Sequence, residues 1–339
     1  MRRLPIYLVI DCSESMVGKP IKCVEEGIAT IIRTLKQSPY ALETTVLSVI
    51  AFAGKAVKLL SMEEIYRLTS VKLPVGGGTS LGNVFYMLMD DIDKCVKKNT
   101  YEEKGDWRPI VFLFTDGNPT DRTEDAARIW REKYGESVLC VAVAMGNTMD
   151  TRYLRQFTDN VYRLENTDPK SFEQFFDWIT LSINSSSRSV AKKRHDGSSL
   201  SVVNSSVVKK VEEKENAVTV DDNYIVILSR CQTTRNYYLI KYQKSSKDST
   251  AYELEGAYPV DDNYFSLSAD GYENLRVNTD HLYGHPTCPI CGNESAIGIC
   301  SCGGVLCVRN NQVNVCPHCG RRSFFGSSDV GVDINRTIG

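Results

Sequence analysis

The first half of the chain predicts a Rossmann-like, doubly wound α/β fold with a mostly parallel sheet, followed by a small β-rich segment and a cysteine-rich terminal domain. Three observations lead there. Short apolar runs alternate with helix-spaced segments up to about residue 185. Composition then turns abruptly to serine and charge. Finally, seven of the twelve cysteines crowd between Cys288 and Cys319.

Ile6–Ile10 reads as a strand, and Ile21, Val24, Ile28, Ile31, Ile32 and Leu35 then recur at helical spacing. Thr45–Ala53 is a second strand, which Ala56–Leu60 joins as a hairpin around Gly54-Lys55. A helix over Leu81–Val96 precedes the fully apolar strand Ile110–Phe114. Asp125–Tyr134 is helical, Val138–Ala144 and Val161–Leu164 are strands, and Asp168-Pro169 starts a helix over Ser171–Ile183. Strands alternating with helices imply a sheet covered on both faces. This predicts a first domain over 1–185. Residues 186–216 read as a Ser/Lys-rich linker, since 184–216 hold seven basic residues against four acidic ones and few large apolar side chains. A basic run, Lys192-Lys193-Arg194-His195, reads as part of that solvated linker. Tyr224–Leu228, Tyr237–Tyr242 and Tyr264–Leu267 read as strands of a β-rich region over 217–280. Val-Asp-Asp-Asn-Tyr occurs at 220–224 and again at 260–264, which reads as two turns leading into strands. Residues 281–326 form the cysteine-rich domain, and 327–339 a tail.

Composition limits the function classes. A net charge of −2 over 339 residues gives no global attraction to nucleic acid or to an anionic membrane. The apolar run after Arg2-Arg3 is short, contains Pro5 and ends in Asp11, unlike a secretory signal, and no window has the ~18 apolar residues of a membrane span. The expected location is therefore the cytoplasm, where five scattered cysteines (12, 23, 95, 140, 231) read as buried thiols and the crowded ones suggest metal.

Three loops carry oxygen chemistry. Asp11, Ser13 and Ser15 follow the first strand, Thr79 ends the glycine run 76–78, and Asp116 follows the strand Ile110–Phe114. In a parallel α/β sheet such loops gather at the carboxyl edge of the strands. Three hydroxyls and two carboxylates suit a hard cation, Mg2+ or else Mn2+ or Ca2+. With at most five protein ligands in an octahedron, at least one position is left for water or for a partner's carboxylate. The alternative is that Ser13, Ser15 and Thr79 cap helices while Asp116 begins a turn. All five residues in order on three loops favour the ion. There is no P-loop or HExxH helix, no evident general base beyond these residues, and no histidine in the first 190 residues, so the chain reads as a non-enzyme.

Asp-x-Ser-x-Ser, a glycine-rich Thr loop and Thr-Asp-Gly resemble the von Willebrand factor type A (vWA) family and its metal-ion-dependent adhesion site. Arg2-Arg3-Leu4-Pro5, Pro39–Thr44, Gly105-Asp106-Trp107-Arg108-Pro109 and Thr115–Asp121 resemble more closely the bacterial TerY proteins of tellurite-resistance systems. Cys12 and Glu14 fill the two "x" positions, where the wider family often has other residues. Glu14 adds a negative charge near the ion. The resemblance implies a scaffold or phosphorylation substrate working with a Ser/Thr kinase and a PP2C-type phosphatase in stress or tellurite resistance.

Cys288-Pro-Ile-Cys291-Gly and Cys316-Pro-His-Cys319-Gly are matching knuckles 28 residues apart. The expectation is that Cys288, Cys291, Cys316 and Cys319 close one tetrahedral Zn2+ site, in the manner of a zinc ribbon. Cys300, Cys302 and Cys307 lie in a hairpin, where they either form a second zinc site with His318 or His285 or line a small core. Some TerY-like proteins carry such a ribbon, and this tail resembles one. Within 288–319 only Arg309 is basic, a thin footprint for nucleic acid. Protein partners are expected, with a nucleic-acid-associated ribbon or a Mg2+-dependent phosphohydrolase as the alternatives.

Overall fold

The computed structural model describes residues 2–146, 149–165, 168–191, 208–211, 223–246, 249–269, 275–326 and 330–337. In chain order the first part comprises β1 (Leu4–Asp11), α1 (Lys19–Lys36), α2 (Pro39–Thr44), β2 (Thr45–Phe52), β3 (Ala56–Glu64), α3 (Leu81–Cys95), β4 (Ile110–Thr115), α4 (Glu124–Tyr134), β5 (Leu139–Met145), α5 (Arg152–Arg155), β6 (Val161–Leu164), α6 (Pro169–Ala191) and β7 (Val208–Lys210). Its sheet runs β3-β2-β1-β4-β5-β6-β7. The five strands from β2 to β6 are parallel, whereas β3 and β7 pair antiparallel at the edges.

Both faces of this sheet are covered, so its strands are apolar throughout. In β1, Ile6, Leu8 and Ile10 enter one buried cluster with Ile28 and Ile31 of α1 and Phe175 and Phe176 of α6. The alternate residues Tyr7 and Val9 enter the other, with Phe85 of α3 and Trp130 of α4. The strand's period of two thus serves two cores at once. Chain order reverses at β1, which lies between β2 and β4. The carboxyl ends of β1 and β4 therefore flank the topological switch point, where ligand crevices form in open α/β sheets.

The second part comprises β8 (Tyr224–Arg230), β9 (Tyr237–Lys244), β10 (Tyr252–Pro259), α7 (Tyr264–Leu267), β11 (Arg276–Asn278), β12 (Leu282–Tyr283), β13 (Ser295–Ile299), β14 (Val305–Val308), β15 (Asn314–Val315), β16 (Arg322–Ser323) and β17 (Asp333–Asn335). Six strands form one sheet in the order β12-β10-β9-β8-β14-β13.

Four expectations change. The β-rich region 217–280 and the cysteine-rich region 281–326 are not separate, because β14 of the latter pairs with β8 of the former. Tyr264–Leu267 is a helical turn rather than a strand. The linker 186–216 belongs to the first domain at its described places: α6 continues to Ala191, and β7 closes the sheet edge on β6. The tail is also anchored, since β17 pairs with β11. The basic run 192–195 and residues 220–222 of the first Val-Asp-Asp-Asn-Tyr lie outside the described residues.

Candidate metal centres

At the switch point, the end of β1 turns sharply. The Asp11 carboxylate accepts the backbone N–H of Ser13 at 2.9 Å through Oδ1 and the Thr115 hydroxyl at 2.5 Å through Oδ2. The hydroxyls of Ser13 and Ser15 lie 2.9 Å apart, and Ser15 Oγ donates to Asp116 Oδ1 at 2.8 Å. Ser13 does not cap its following helical turn with its side chain, and the residue at the start of α3 is Ser80 rather than Thr79, so the capping alternative fails for Ser13 and Thr79. Thr79 arrives from the glycine loop. Its main chain is fixed by two bonds to Thr120, N–H to Oγ1 and C=O from N–H, both 2.9 Å. Its Oγ1 faces Gly117, where a side chain would stand only 3.2 Å from it. The five residues singled out in the sequence thus face one crevice, and all five are buried.

Burial pushes the Asp11 carboxyl up to about 6, against the Thr115 hydroxyl and the Ser13 N–H, which favour its charged form. Two buried carboxylates linked by hydroxyls, with no Lys or Arg among the described residues paired to Asp11, form an oxygen set that a hard cation would neutralise. The donor chemistry therefore fits Mg2+ or a similar ion.

The cysteines assemble differently from the sequence expectation. The Sγ atoms of Cys231, Cys288, Cys291 and Cys307 lie within 4.8 Å of one another, and so do those of Cys300, Cys302, Cys316 and Cys319. The two knuckles serve separate centres, so the proposed single site of Cys288, Cys291, Cys316 and Cys319 is incorrect. The reason is the β13–β14 hairpin. Ser295 pairs with Val308 at one end and Ile299 with Val305 at the other. Cys288–Cys291 precede the first end and Cys300–Cys302 follow the second, so the two centres sit at opposite ends of the hairpin. Pairing of Leu306 with Arg230 then brings Cys307 beside Cys231, at 4.0 Å.

His318 joins neither set. Its Nε2 lies 3.0 Å from the Val305 carbonyl, and its ring packs on Gly304. His285 is exposed and also outside both sets. The closest sulfur pairs, 3.7 Å for Cys291–Cys307 and for Cys300–Cys319 and 3.8 Å for Cys302–Cys316, match the edge of a tetrahedron with metal–sulfur bonds of about 2.3 Å. One thiol in each set titrates low. Burial raises Cys231, but the Thr234 hydroxyl and the N–H groups of Thr233 and Thr234 outweigh it and hold it at about 7. The Cys302 N–H leads the groups that lower Cys300 to about 7. Cys316 is pushed up to about 12 by burial. Four crowded sulfurs cannot all ionise unaided, and a thiophilic dication removes that conflict.

Cys231 is the ligand candidate missed from sequence. Its turn has the hydrogen bonds of a knuckle: Cys231 N–H to Asn236 C=O at 2.8 Å and Arg235 N–H to Cys231 C=O at 2.9 Å. Cys288 makes the same pair with Asn293 and Gly292. However, Thr234 stands where a second cysteine would be, and Arg235 takes the left-handed φ of 63° that Gly292 adopts at 73°. With neither CxxC nor the following Gly, the turn carries no motif.

Comparison with known families agrees with both halves. The von Willebrand factor type A domain model matches residues 6–178, just over half of the chain. The chain belongs to the vWA family. The TerY-C metal binding domain model matches residues 221–339, a span that covers both cysteine sets. Together these make it a vWA protein of the TerY family with a C-terminal metal-binding region. Comparison with curated proteins gives no match. Among solved structures, proximal thread matrix protein 1 from the mussel byssus, in a form with a zinc-occupied MIDAS motif, is 17% identical over 54% of this chain and 46% of its own, with a TM-score of 0.36. A von Willebrand factor type A protein from Catenulispora acidiphila is 15% identical over 80% of this chain and 69% of its own, with a TM-score of 0.41. The ArnB paralog VWA2 from Sulfolobus acidocaldarius is 12% identical over 77% and 65%, with a TM-score of 0.39. The chain spans about half the length of the mussel protein it matches.

Proposed function

We propose that this vWA protein is a non-enzymatic, metal-dependent interaction module that grips an acidic side chain of a protein partner. The observation that carries this reading is the oxygen set itself: two carboxylates and three hydroxyls on three loops at the switch point. Asp11, Ser13, Ser15, Thr79 and Asp116 would hold Mg2+ (or Mn2+ or Ca2+), directly or through water, and the ion supplies an open position for an anionic ligand. The chain's own groups set the geometry: Thr115 orients Asp11, Ser15 orients Asp116, and Thr120 fixes the Thr79 loop. The groups bonded to Asp11, Ser13 and Ser15 are hydroxyls, a backbone N–H and the Asp116 carboxylate, which is the make-up of a ligand set for a cation.

The two four-cysteine sets would each hold Zn2+ and supply much of the folding free energy of the C-terminal domain. The TerY resemblance supports a scaffold or phosphorylation substrate placed between a Ser/Thr kinase and a PP2C-type phosphatase in the cytoplasm, in stress or tellurite resistance. Among the described residues, no helix is long and apolar enough to cross a membrane. The test is capture of the kinase or phosphatase by the full chain. Asp11→Ala or EDTA should abolish capture, and undiminished capture by Asp11→Ala would sink the reading.

A further inference from the structure

The C-terminal domain touches the ion crevice directly, through one short segment. The Tyr264 hydroxyl donates to Glu14 Oε1, the acidic residue between Ser13 and Ser15, and both side chains are fully buried. Four residues on from α7's start, the chain lies along the glycine loop. The Gly77 N–H donates to Ser268 Oγ at 2.8 Å, and the Ala269 N–H donates to the Gly77 carbonyl at 2.9 Å. Ser268 Oγ in turn donates to the Tyr264 carbonyl at 2.6 Å, which ties the contact back to α7. The Lys55 N–H donates to the Leu267 carbonyl at 2.8 Å, so the β2–β3 turn is engaged as well. Gly54 permits this approach: a side chain there would overlap the Ala269 backbone nitrogen, at 1.9 Å.

The contact is not a loose touch between two surfaces. Val17, just after the Asp-x-Ser-x-Ser turn, shares a buried apolar cluster with Val226, Leu239 and Tyr264 of the second domain. Lys241 is fully buried, paired with Glu255 at 3.0 Å, and directs Nζ at the Val17 carbonyl at 3.4 Å. A buried lysine placed this way is costly unless its partners stay in place, so the docked arrangement is specified rather than incidental.

Thr79 lies two residues beyond Gly77. Its loop is thus held from one side by Thr120 of the vWA domain and from the other by Ser268 and Ala269 of the metal-binding domain. Ser13 and Ser15 flank Glu14, which Tyr264 holds. The geometry points to the C-terminal metal-binding domain acting as a brace for the vWA ion site: Tyr264, Ser268 and Ala269 position the Thr79 loop and the Asp11–Ser15 turn for the cation. Domain docking and ion binding then favour each other. Because binding linkage is reciprocal, the ion must tighten docking by the factor by which docking tightens the ion. Tyr264 and Ser268 are positioning residues and touch no ion. This inference rests on the Asp11 crevice binding a cation, as proposed above, but needs no protein partner.

The test uses the full zinc-loaded chain and Mn2+ as the probe. Calorimetric titration should show Ser268→Ala weakening Mn2+ binding about tenfold while zinc content stays at the wild-type value. Tyr264→Phe, the second variant should the first fold poorly, should weaken it in the same direction. Hydrogen exchange supplies a readout that a purely structural role would not move. Added Mn2+ should slow exchange at the Ala269, Gly77 and Lys55 amides in the wild type, and Asp11→Ala should erase that effect. Equal Mn2+ affinity in wild type, Ser268→Ala and Tyr264→Phe overturns the brace. Faster exchange at Ala269 on adding Mn2+ also overturns it, and makes the domain a competitor for the site. Wild-type chain that takes up no Mn2+ removes the ion reading and the brace together, whereas failure to capture a kinase or phosphatase bears on the interaction reading alone.

Discussion

The oxygen crevice and the two thiolate centres solve the same problem, holding a dication, in opposite ways. The crevice is built on a finished scaffold. β1 and β4 are buried on both faces, and their carboxyl ends deliver Asp11, Thr115 and Asp116. The two thiolate centres differ here. Cys231, Cys288 and Cys307 belong to a buried cluster with Ile225, Ile227 and Tyr238. The centre of Cys300, Cys302, Cys316 and Cys319 has far less core of its own. The cluster around Cys300 and Cys316 contains only Leu306 and Val308 besides, with Phe325 packed against it. Where the core comes first, the fold does not depend on the ion; where sulfur replaces core, the metal is part of the fold.

That contrast can be broken most directly by removing zinc. A strong chelator at neutral pH should abolish the unfolding transition of the C-terminal domain and leave that of the vWA domain in place, read by calorimetry. Structural zinc contributes on the order of 10 kcal/mol in small domains, so this is the largest effect expected. An unchanged C-terminal transition after the zinc has been removed, or loss of the vWA transition together with it, would erase the distinction drawn here.

The next effect is smaller and concerns protons. The ion prefers carboxylate, and burial places Asp11 at about 6 against an ordinary 3.8. Mn2+ affinity should therefore be flat above pH ~7 and fall by up to about tenfold per pH unit below ~6, as a proton competes for Asp11. For the ion-free chain the sign reverses. A carboxyl raised in the fold contributes most below the ordinary value, and that contribution is lost as pH rises through about 6. Asp11→Asn should therefore flatten this part of the stability profile. Titration series at several pH values, with and without Mn2+, read both signs.

The smallest effect sharpens the comparison from the thiolate side. Arg235 holds a left-handed φ of 63° in a knuckle-shaped turn. Arg235→Gly should stabilise the C-terminal domain by roughly 0.5–1 kcal/mol without changing its zinc content, since glycine adopts that region freely. Denaturant midpoints at constant slope would measure it.

The two regions also differ in how far residues announced them. In the vWA half, the apolar runs and helical spacing place nearly every element. The ion residues are legible because all five lie within strand-following or glycine loops whose position the topology dictates. The short helices Pro39–Thr44 and Arg152–Arg155 were not, as too few turns form to show a period. In the C-terminal half the knuckles were visible, yet their pairing was not. That pairing depends on β14 lying beside β8, a contact between residues some 76 positions apart that no local spacing encodes. β10, Tyr-Glu-Leu-Glu-Gly-Ala-Tyr-Pro, went unread because it alternates only partly and bulges between Leu254 and Gly256. Tyr264–Leu267 resembled a strand by its aromatic residues. It is helical because Asn263 and Asp261 start a turn there, and its value lies in the Glu14 contact that no sequence pattern records.

Metal counting on the intact chain tests the division between the centres most directly. Native mass spectrometry after equilibration with Zn2+ and Mn2+ should give two zinc ions and one manganese ion for the wild type. Asp11→Ala should keep both zinc ions and lose manganese, whereas Cys231→Ser and Cys316→Ser should each lose a different single zinc ion and keep manganese. Retention of two zinc ions by Cys231→Ser, or of manganese by Asp11→Ala, would contradict the assignment.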